Sequence, residues 1–199
     1  VRRSPLAMAI LGLLEDEPLH PYRMQQLLKE WGKDQVVNVG QRATLYKLIK
    51  RLDEEGLIRA RETARDHRYP ERTVYELTDT GRDIRQRWLT EALSTARDEF
   101  PEFPAALSFL PLLAPETVRE LLTRRREQLV GRLAARDALV DGVGFELPRV
   151  SVLETGYQHA IVEAEIRWLD GVLRELADGS LTWHQPELDD AATRLHTGA

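Results

Sequence analysis

The spacing of the apolar residues constrains this chain most. Along most of its length they recur three and four apart, the period of a helix, and in only two places does that period give way to strand-like runs. Leu6, Ala9, Ile10, Leu13 and Leu14 form one face of a first helix, with Ser4 placed to cap it and Pro5 at its first position. Glu15-Asp16-Glu17-Pro18 stops it. His20-Pro21 opens a second helix with Tyr22, Met24, Leu27, Leu28 and Trp31 as its apolar members, and Gly32 ends it. A connection over residues 33–40 leads to a third helix predicted from Gln41 to Glu55, whose core set is Leu45, Leu48, Ile49 and Leu52. Gly56 takes the left-handed cap position. Residues 57–61 and 73–77 read as two strands, joined by the polar stretch 62–72 into a hairpin with a long tip.

Thr78-Asp79-Thr80-Gly81 opens a fourth helix with Ile84, Trp88, Ala92 and Ala96 along one side. Phe100-Pro101-Glu102-Phe103-Pro104 breaks the pattern and marks a domain boundary. Residues 105–113 are expected to form a short helix. A long helix follows from Pro115 to Leu139, with Val118, Leu121, Leu122, Leu129 and Leu133 as its stripe. Residues 141–148 turn the chain. A last long helix over residues 150–177 is expected to face Leu153, Tyr157, Ile161, Ala164, Trp168 and Val172 inward, and Asp178-Gly179 ends it. The expected organisation is a first domain at 1–100, a helical domain at 101–183, and a small, polar, disordered tail at 184–199.

Composition excludes several function classes. There is no Cys, so no disulfide or thiol chemistry. The longest nearly apolar stretch, residues 105–114, is interrupted by Ser108 and Pro111 and falls short of the ~20 residues a membrane helix needs. Glu15, Asp16 and Glu17 come too early for a secretory leader, so a cytoplasmic protein with no membrane partner is expected. No phosphate-cradling glycine loop, GxSxG elbow or HExxH motif occurs, so no enzyme activity, catalytic residue or cofactor is expected. The five His are scattered, and His159 with Glu163 is only two groups on one helix, which does not make a metal site. The net charge is −5, but it is divided. Residues 1–88 carry 17 Lys and Arg against 14 Asp and Glu, a net +3, and the remainder carries −8.

Three short helices followed by a two-stranded hairpin is the order of a winged helix-turn-helix. In that module the third helix enters the DNA major groove, so its face away from the core must be polar and partly basic. Here that face is Gln41, Arg42, Ala43, Thr44, Tyr46, Lys47, Lys50 and Arg51. Arg42, Thr44 and Tyr46 occupy the N-terminal half, which reaches base edges. Lys47 and Arg51 lie where phosphates would lie, and small Ala43 allows close approach. The hairpin adds Arg61, Arg65, His67, Arg68 and Arg72, interleaved with Glu62, Asp66 and Glu71, as donors toward flanking backbone or a minor groove. A merely solvated charged face is the competing reading.

Four stretches make the chain recognisable: residues 6–14 (LAMAILGLL), 18–24 (PLHPYRM), 44–58 (TLYKLIKRLDEEGLI) and 74–81 (VYELTDTG). With them the chain resembles the PadR family of bacterial regulators over almost its whole length. His20-Pro21-Tyr22 departs from the family's usual His-Gly-Tyr, and Pro is tolerated at a helix start. The resemblance implies a winged-helix domain, a helical C-terminal dimerisation domain, and repression relieved by a small molecule or signal. It also implies that Thr44, Tyr46 and Lys47 face DNA, and it places residues 105–183 with the branch whose C-terminal domain has two helices.

The fold class expected is therefore mainly α: an N-terminal winged helix-turn-helix of three helices and a two-stranded wing, and a C-terminal antiparallel helical dimerisation domain. Two long helices with apolar stripes bury both more completely as a pair of copies, so a homodimer on a pseudo-palindromic duplex is expected. Trp88, Tyr157 and Trp168 are candidates for a small aromatic effector pocket or for the dimer interface, and Trp31 raises the same question. Arg124-Arg125-Arg126, flanked by Glu120 and Glu127, reads as a salt-bridged exposed face. The competing functions are a MarR-type regulator, a winged-helix protein-interaction module without DNA binding, and a small-molecule-binding or catalytic helical protein whose N-terminal domain is only scaffold.

Overall fold

Ser4 and Pro5 start the first helix, α1 (Pro5–Leu13), by the two devices read from sequence: the Ser4 hydroxyl accepts from the Ala7 N–H at 3.2 Å, and Pro5 sits where no amide donor is needed. The computed structural model describes residues 2–33, 36–38, 42–61, 73–141 and 148–184. The chain divides into two units, Val1–Asp98 and Glu99–Ala199.

In the first unit α1 is followed by α2 (Pro21–Glu30), α3 (Arg42–Glu54), the strands β1 (Ile58–Arg61) and β2 (Val74–Leu77), and α4 (Asp79–Ser94). Its core joins Leu6, Ile10 and Leu13 to Met24, Leu27 and Leu28, to Leu45, Ile49 and Leu52, and to Ile58 and Leu77 of the strands. His20 caps α2, its Nδ1 accepting from the Tyr22 N–H. Tyr22 and Trp31, expected among the apolar members of α2, are exposed. Tyr22 lies on the side of the helix opposite Met24, and Trp31 lies beyond the last turn.

Gly56 decides how α3 leads into the wing. Its φ of 68° is left-handed, which lets the Leu57 N–H reach the Leu52 carbonyl and the Gly56 N–H reach the Asp53 carbonyl, each at 2.9 Å. Leu57 thereby joins Leu52 in the core, and the chain leaves the helix as strand. The wing is antiparallel, with Ile58 opposite Leu77 and Arg59 opposite Glu76. On the free edge of β2, Leu19 exchanges two backbone hydrogen bonds with Tyr75 (2.9 and 3.0 Å), a third rung after the acidic stop of α1.

Thr78 locks α4 to the wing. Its hydroxyl accepts from the Gly81 N–H at 3.0 Å and faces the carbonyls of Gly56 and Leu57. Ile84 and Trp88 pack on the core. The expected continuation through Ala92 and Ala96 ends earlier. Residues 91–98 are exposed and Thr95 is already extended, since the core of this unit reaches no further along α4 than Trp88.

The second unit contains α5 (Glu102–Leu107), α6 (Pro115–Asp141) and α7 (Leu153–Asp178), with single 3₁₀ turns at Leu110–Leu112 and Arg149–Val152. The short helix starts before the expected residue 105. Pro104 does not break it, because the amides of a first turn have no helical acceptor to lose. The pairs Arg126–Asp170 and Asp137–His159 run α6 and α7 antiparallel. Val118, Leu122, Leu129 and Leu169 are buried between them, flanked by Val162, Ile166, Leu173 and Leu176.

This packing overturns the expected inward face of α7. Leu153 (53% exposed), Tyr157 (66%), Ile161 (44%) and Trp168 (45%) are on the surface, as is Ala164, and Val172 is only half-buried. The covered face lies about a third of a turn away, at 3.6 residues per turn. The helix is apolar on both faces, and α6 covers one. The salt-bridged face expected at Arg124–Arg126 is present at two of its members, but with other partners: Arg125 pairs with Glu165 at 2.5 Å and Arg126 with Asp170, both from α7 rather than the flanking Glu120 and Glu127.

Candidate nucleic-acid interface

α3 divides cleanly. Leu45, Ile49 and Leu52 are buried and Leu48 is half-buried, while Arg42, Ala43, Thr44, Tyr46, Lys47, Lys50 and Arg51 are all exposed. The 3.6-residue period puts the two sets on opposite sides, so anchoring the leucines presents the polar set outward. Lys50 reaches Glu54 at 3.7 Å, an exposed pair of small worth. Among the described residues no carboxylate pairs with Arg42, Lys47 or Arg51. Arg42 instead stands over the Tyr22 ring, its Cζ 5.6 Å from the centroid. These cations therefore keep their donors available.

The base of the wing is tied to α3. The Ala60 N–H donates to Asp53 at 3.3 Å. Burial first, then the charge of Asp53 and the neighbouring Tyr46, push the Tyr75 phenol above its ordinary pKa, so it stays a neutral donor. On the opposite face of the strands, Arg59 and Arg61 converge on Glu76. The hydrogen bond from Arg59, then the charges of Arg59 and Arg61, hold the Glu76 carboxyl below the usual carboxylate range. These groups open onto a polar groove of about 520 Å³ that also includes Glu15 and Arg82. Two of its carboxylates are each met by two guanidiniums, Glu15 by Arg82 and Arg85 and Glu76 by Arg59 and Arg61, while Asp16, Glu17 and Asp79 leave the lining acidic on balance.

Of the residues expected to meet DNA, seven thus share the exposed face of α3. Gln41, Arg65, Arg68 and Arg72, and His67 with them, lie outside the described residues. Sequence reasoning missed the apposition of Tyr22 to Arg42 and the placement of Glu76 against Arg59. Strand alternation puts Arg59 and Arg61 on one face, but only the register supplies Glu76.

Trp88 packs on the core of the first unit. Tyr157 and Trp168 share the exposed stripe of α7, and Trp168 meets Phe103 edge-on at 6.1 Å, with Arg125 over the Phe103 ring at 3.5 Å. His159 turns Nδ1 to Asp137 (3.5 Å) and Nε2 to Glu163 (3.4 Å), two carboxylates on different sides of the ring. Among the described residues no group of three or more His, Cys, Asp or Glu could hold a metal ion. No helix among them is long and apolar enough to cross a membrane.

Residues 10–87 match the transcriptional regulator PadR-like family. No curated protein sequence matches the chain. Solved structures share its fold. Bacillus subtilis PadR in complex with operator DNA superposes with a TM-score of 0.69 at 23% identity, over 87% of this chain and 99% of that one. The same regulator in complex with p-coumaric acid gives 0.66 at 20% identity, over 88% and 98%. The Vibrio cholerae virulence activator AphA gives 0.68 at 21% identity, over 87% and 98%.

Proposed function

We propose, from the premise that residues 10–87 form a PadR-like transcriptional regulator domain, a family of regulators rather than enzymes, that this chain represses transcription as a cytoplasmic homodimer. Residues 1–100 bind duplex DNA, residues 101–183 dimerise, and a small aromatic effector releases the complex. The observation that carries the reading is the exposed face of α3, where Arg42, Lys47 and Arg51 have no carboxylate partner among the described residues and buried leucines hold the helix from behind. A major groove about 12 Å wide admits such a helix, and its base edges carry the full donor and acceptor code.

The uncovered stripe of α7 supports the dimer. Leu153, Tyr157, Ile161 and Trp168 form a continuous apolar row of the kind a second copy buries. A two-fold dimer presents two copies of α3 to half-sites about 34–36 Å apart, or a multiple of that, hence a pseudo-palindromic operator. An effector acts by binding better to a dimer whose spacing does not fit. Trp168 and Tyr157 supply aromatic surface for it, and the ligand of the similar regulator makes p-coumaric acid the first compound to try.

The test is a mobility-shift titration against DNA from upstream of the chain's own gene, at two salt concentrations, with and without p-coumaric acid and other planar aromatics. A saturable shift that weakens with salt and is reversed by one compound is expected. A chain that shifts no duplex at low salt is not a DNA-binding regulator, and a solution mass of 22.8 kDa rather than twice that removes the dimer.

A further inference from the structure

On the same face of the first unit, the exposed Tyr22 of α2 and the exposed Arg42 at the start of α3 meet as an aromatic ring and a guanidinium. The Cζ lies 5.6 Å from the ring centroid, within the ~6 Å at which a cation is attracted to a ring face. Tyr22 is 46% exposed, although an aromatic side chain in a helix beside a leucine core would ordinarily be covered. Its backbone is well fixed. Pro21 sets the first turn, and the Tyr22 N–H is held by His20 Nδ1 at 3.1 Å. The base of the Tyr22 side chain is thus set in place, and its ring stands beside the longer side chain of Arg42.

The kind of contact matters. A carboxylate partner would use up the donors of Arg42, as Glu30 does for the neighbouring Arg23, whose Nη1 it holds at 2.9 and 3.1 Å. A ring beneath the guanidinium restrains it and leaves its N–H groups free at the edge. Free donors in a fixed plane are what bidentate recognition of guanine O6 and N7 requires. Tyr46, one turn further along α3, stands on the same side and is also exposed.

We infer that Tyr22 is a positioning residue for base readout, holding Arg42 so that its donor edge meets a guanine in the major groove. The inference rests on the DNA-binding reading above and adds a residue from outside the recognition helix. Holding the guanidinium before binding reduces the rotamer freedom lost on contact, so the ring acts on discrimination through Arg42.

The full chain is equilibrated with a pool of randomised DNA duplexes, and the bound fraction is sequenced. The selected duplex and its single-base variants are then titrated with wild type, Arg42→Ala, Tyr22→Phe, Tyr22→Leu and the Tyr22→Leu/Arg42→Ala double variant. Arg42→Ala is expected to lose roughly 5- to 150-fold of guanine discrimination at one position per half-site. Tyr22→Leu loses roughly 2- to 5-fold at that same position, and Tyr22→Phe, which keeps the ring, loses none. The double variant matches Arg42→Ala. Equal losses for Tyr22→Phe and Tyr22→Leu would overturn the inference in favour of a phosphate contact by the hydroxyl. So would multiplicative losses in the double variant, or an unchanged preference in Arg42→Ala while the wild type still selects a sequence. A wild type that enriches no duplex refutes the DNA-binding reading itself, and this inference with it.

Discussion

Gly81→Ala tests the junction that fixes the wing against α4. A β-carbon built on Gly81 would lie 2.0 Å from the Leu57 carbonyl oxygen and 2.7 Å from Leu77 Cδ1. The nearer obstacle is backbone at the start of the wing, so relief requires α4 to move by about 1 Å rather than a side chain to rotate. That movement acts on two contacts at once: the Thr78 N–H to the Leu57 carbonyl at 3.2 Å, and the Thr78 hydroxyl that caps Gly81 at 3.0 Å. Each costs about 1 kcal/mol if lost, and overpacking adds about 1–3 kcal/mol. The helix propensity of Ala returns up to about 1 kcal/mol. The net expectation is a destabilisation of about 2–5 kcal/mol, which in a unit of this size lowers Tm by roughly 10–25 °C. Gly12→Ala is the control, since its added methyl meets nothing within 4 Å on a helix of the same unit. It is expected to be neutral or stabilising by up to about 1 kcal/mol. Thermal melts of both variants by far-ultraviolet circular dichroism compare them directly. A Gly81→Ala protein melting with Gly12→Ala would refute the reasoning, because it would mean that α4 is free to move away from the wing.

Lys47→Ala is expected to weaken binding about equally on all duplexes and to lower the slope of log affinity against log salt by up to about one unit; an unchanged slope removes Lys47 from the phosphate contacts. Substituting Thr44 or Tyr46 should change which bases are selected, and an unaltered preference in both variants refutes their role in readout. Acid should weaken the first unit through Glu15, whose carboxyl is held below its ordinary value of 4.5 by the Arg85 hydrogen bond and then by the charges of Arg85 and Arg82. A depressed folded pKa means that the unfolded chain takes up the proton first. This stabilisation is therefore complete above the ordinary value and disappears as pH falls through the folded one. The stability difference between wild type and Glu15→Gln should accordingly be greatest near neutrality and vanish in strong acid, and a difference constant with pH would exclude the mechanism. If the proposed dimer forms through the open stripe of α7, Ile161→Glu places a charge in it and should halve the solution mass without unfolding the chain; a dimeric mass unchanged from wild type would refute that placement of the interface.

The amino-acid sequence alone determined the features governed by neighbours a few residues apart. The leucine period of α3, the caps at Ser4, His20 and Thr78 and the left-handed Gly56 specify helices, their ends and which side of α3 is polar. Interactions of that range are written in the local pattern, which is why the winged-helix order and the exposed Arg42, Lys47 and Arg51 were legible. Tertiary structure decided what depends on partners far along the chain: Leu19 on the edge of Tyr75, Glu76 opposite Arg59, Tyr22 beneath Arg42, and α7 residues opposite Arg125 and Arg126. It also chose which of the two apolar faces of α7 to cover. Periodicity records that a face is apolar, but only the width of the packing partner settles which face leaves water.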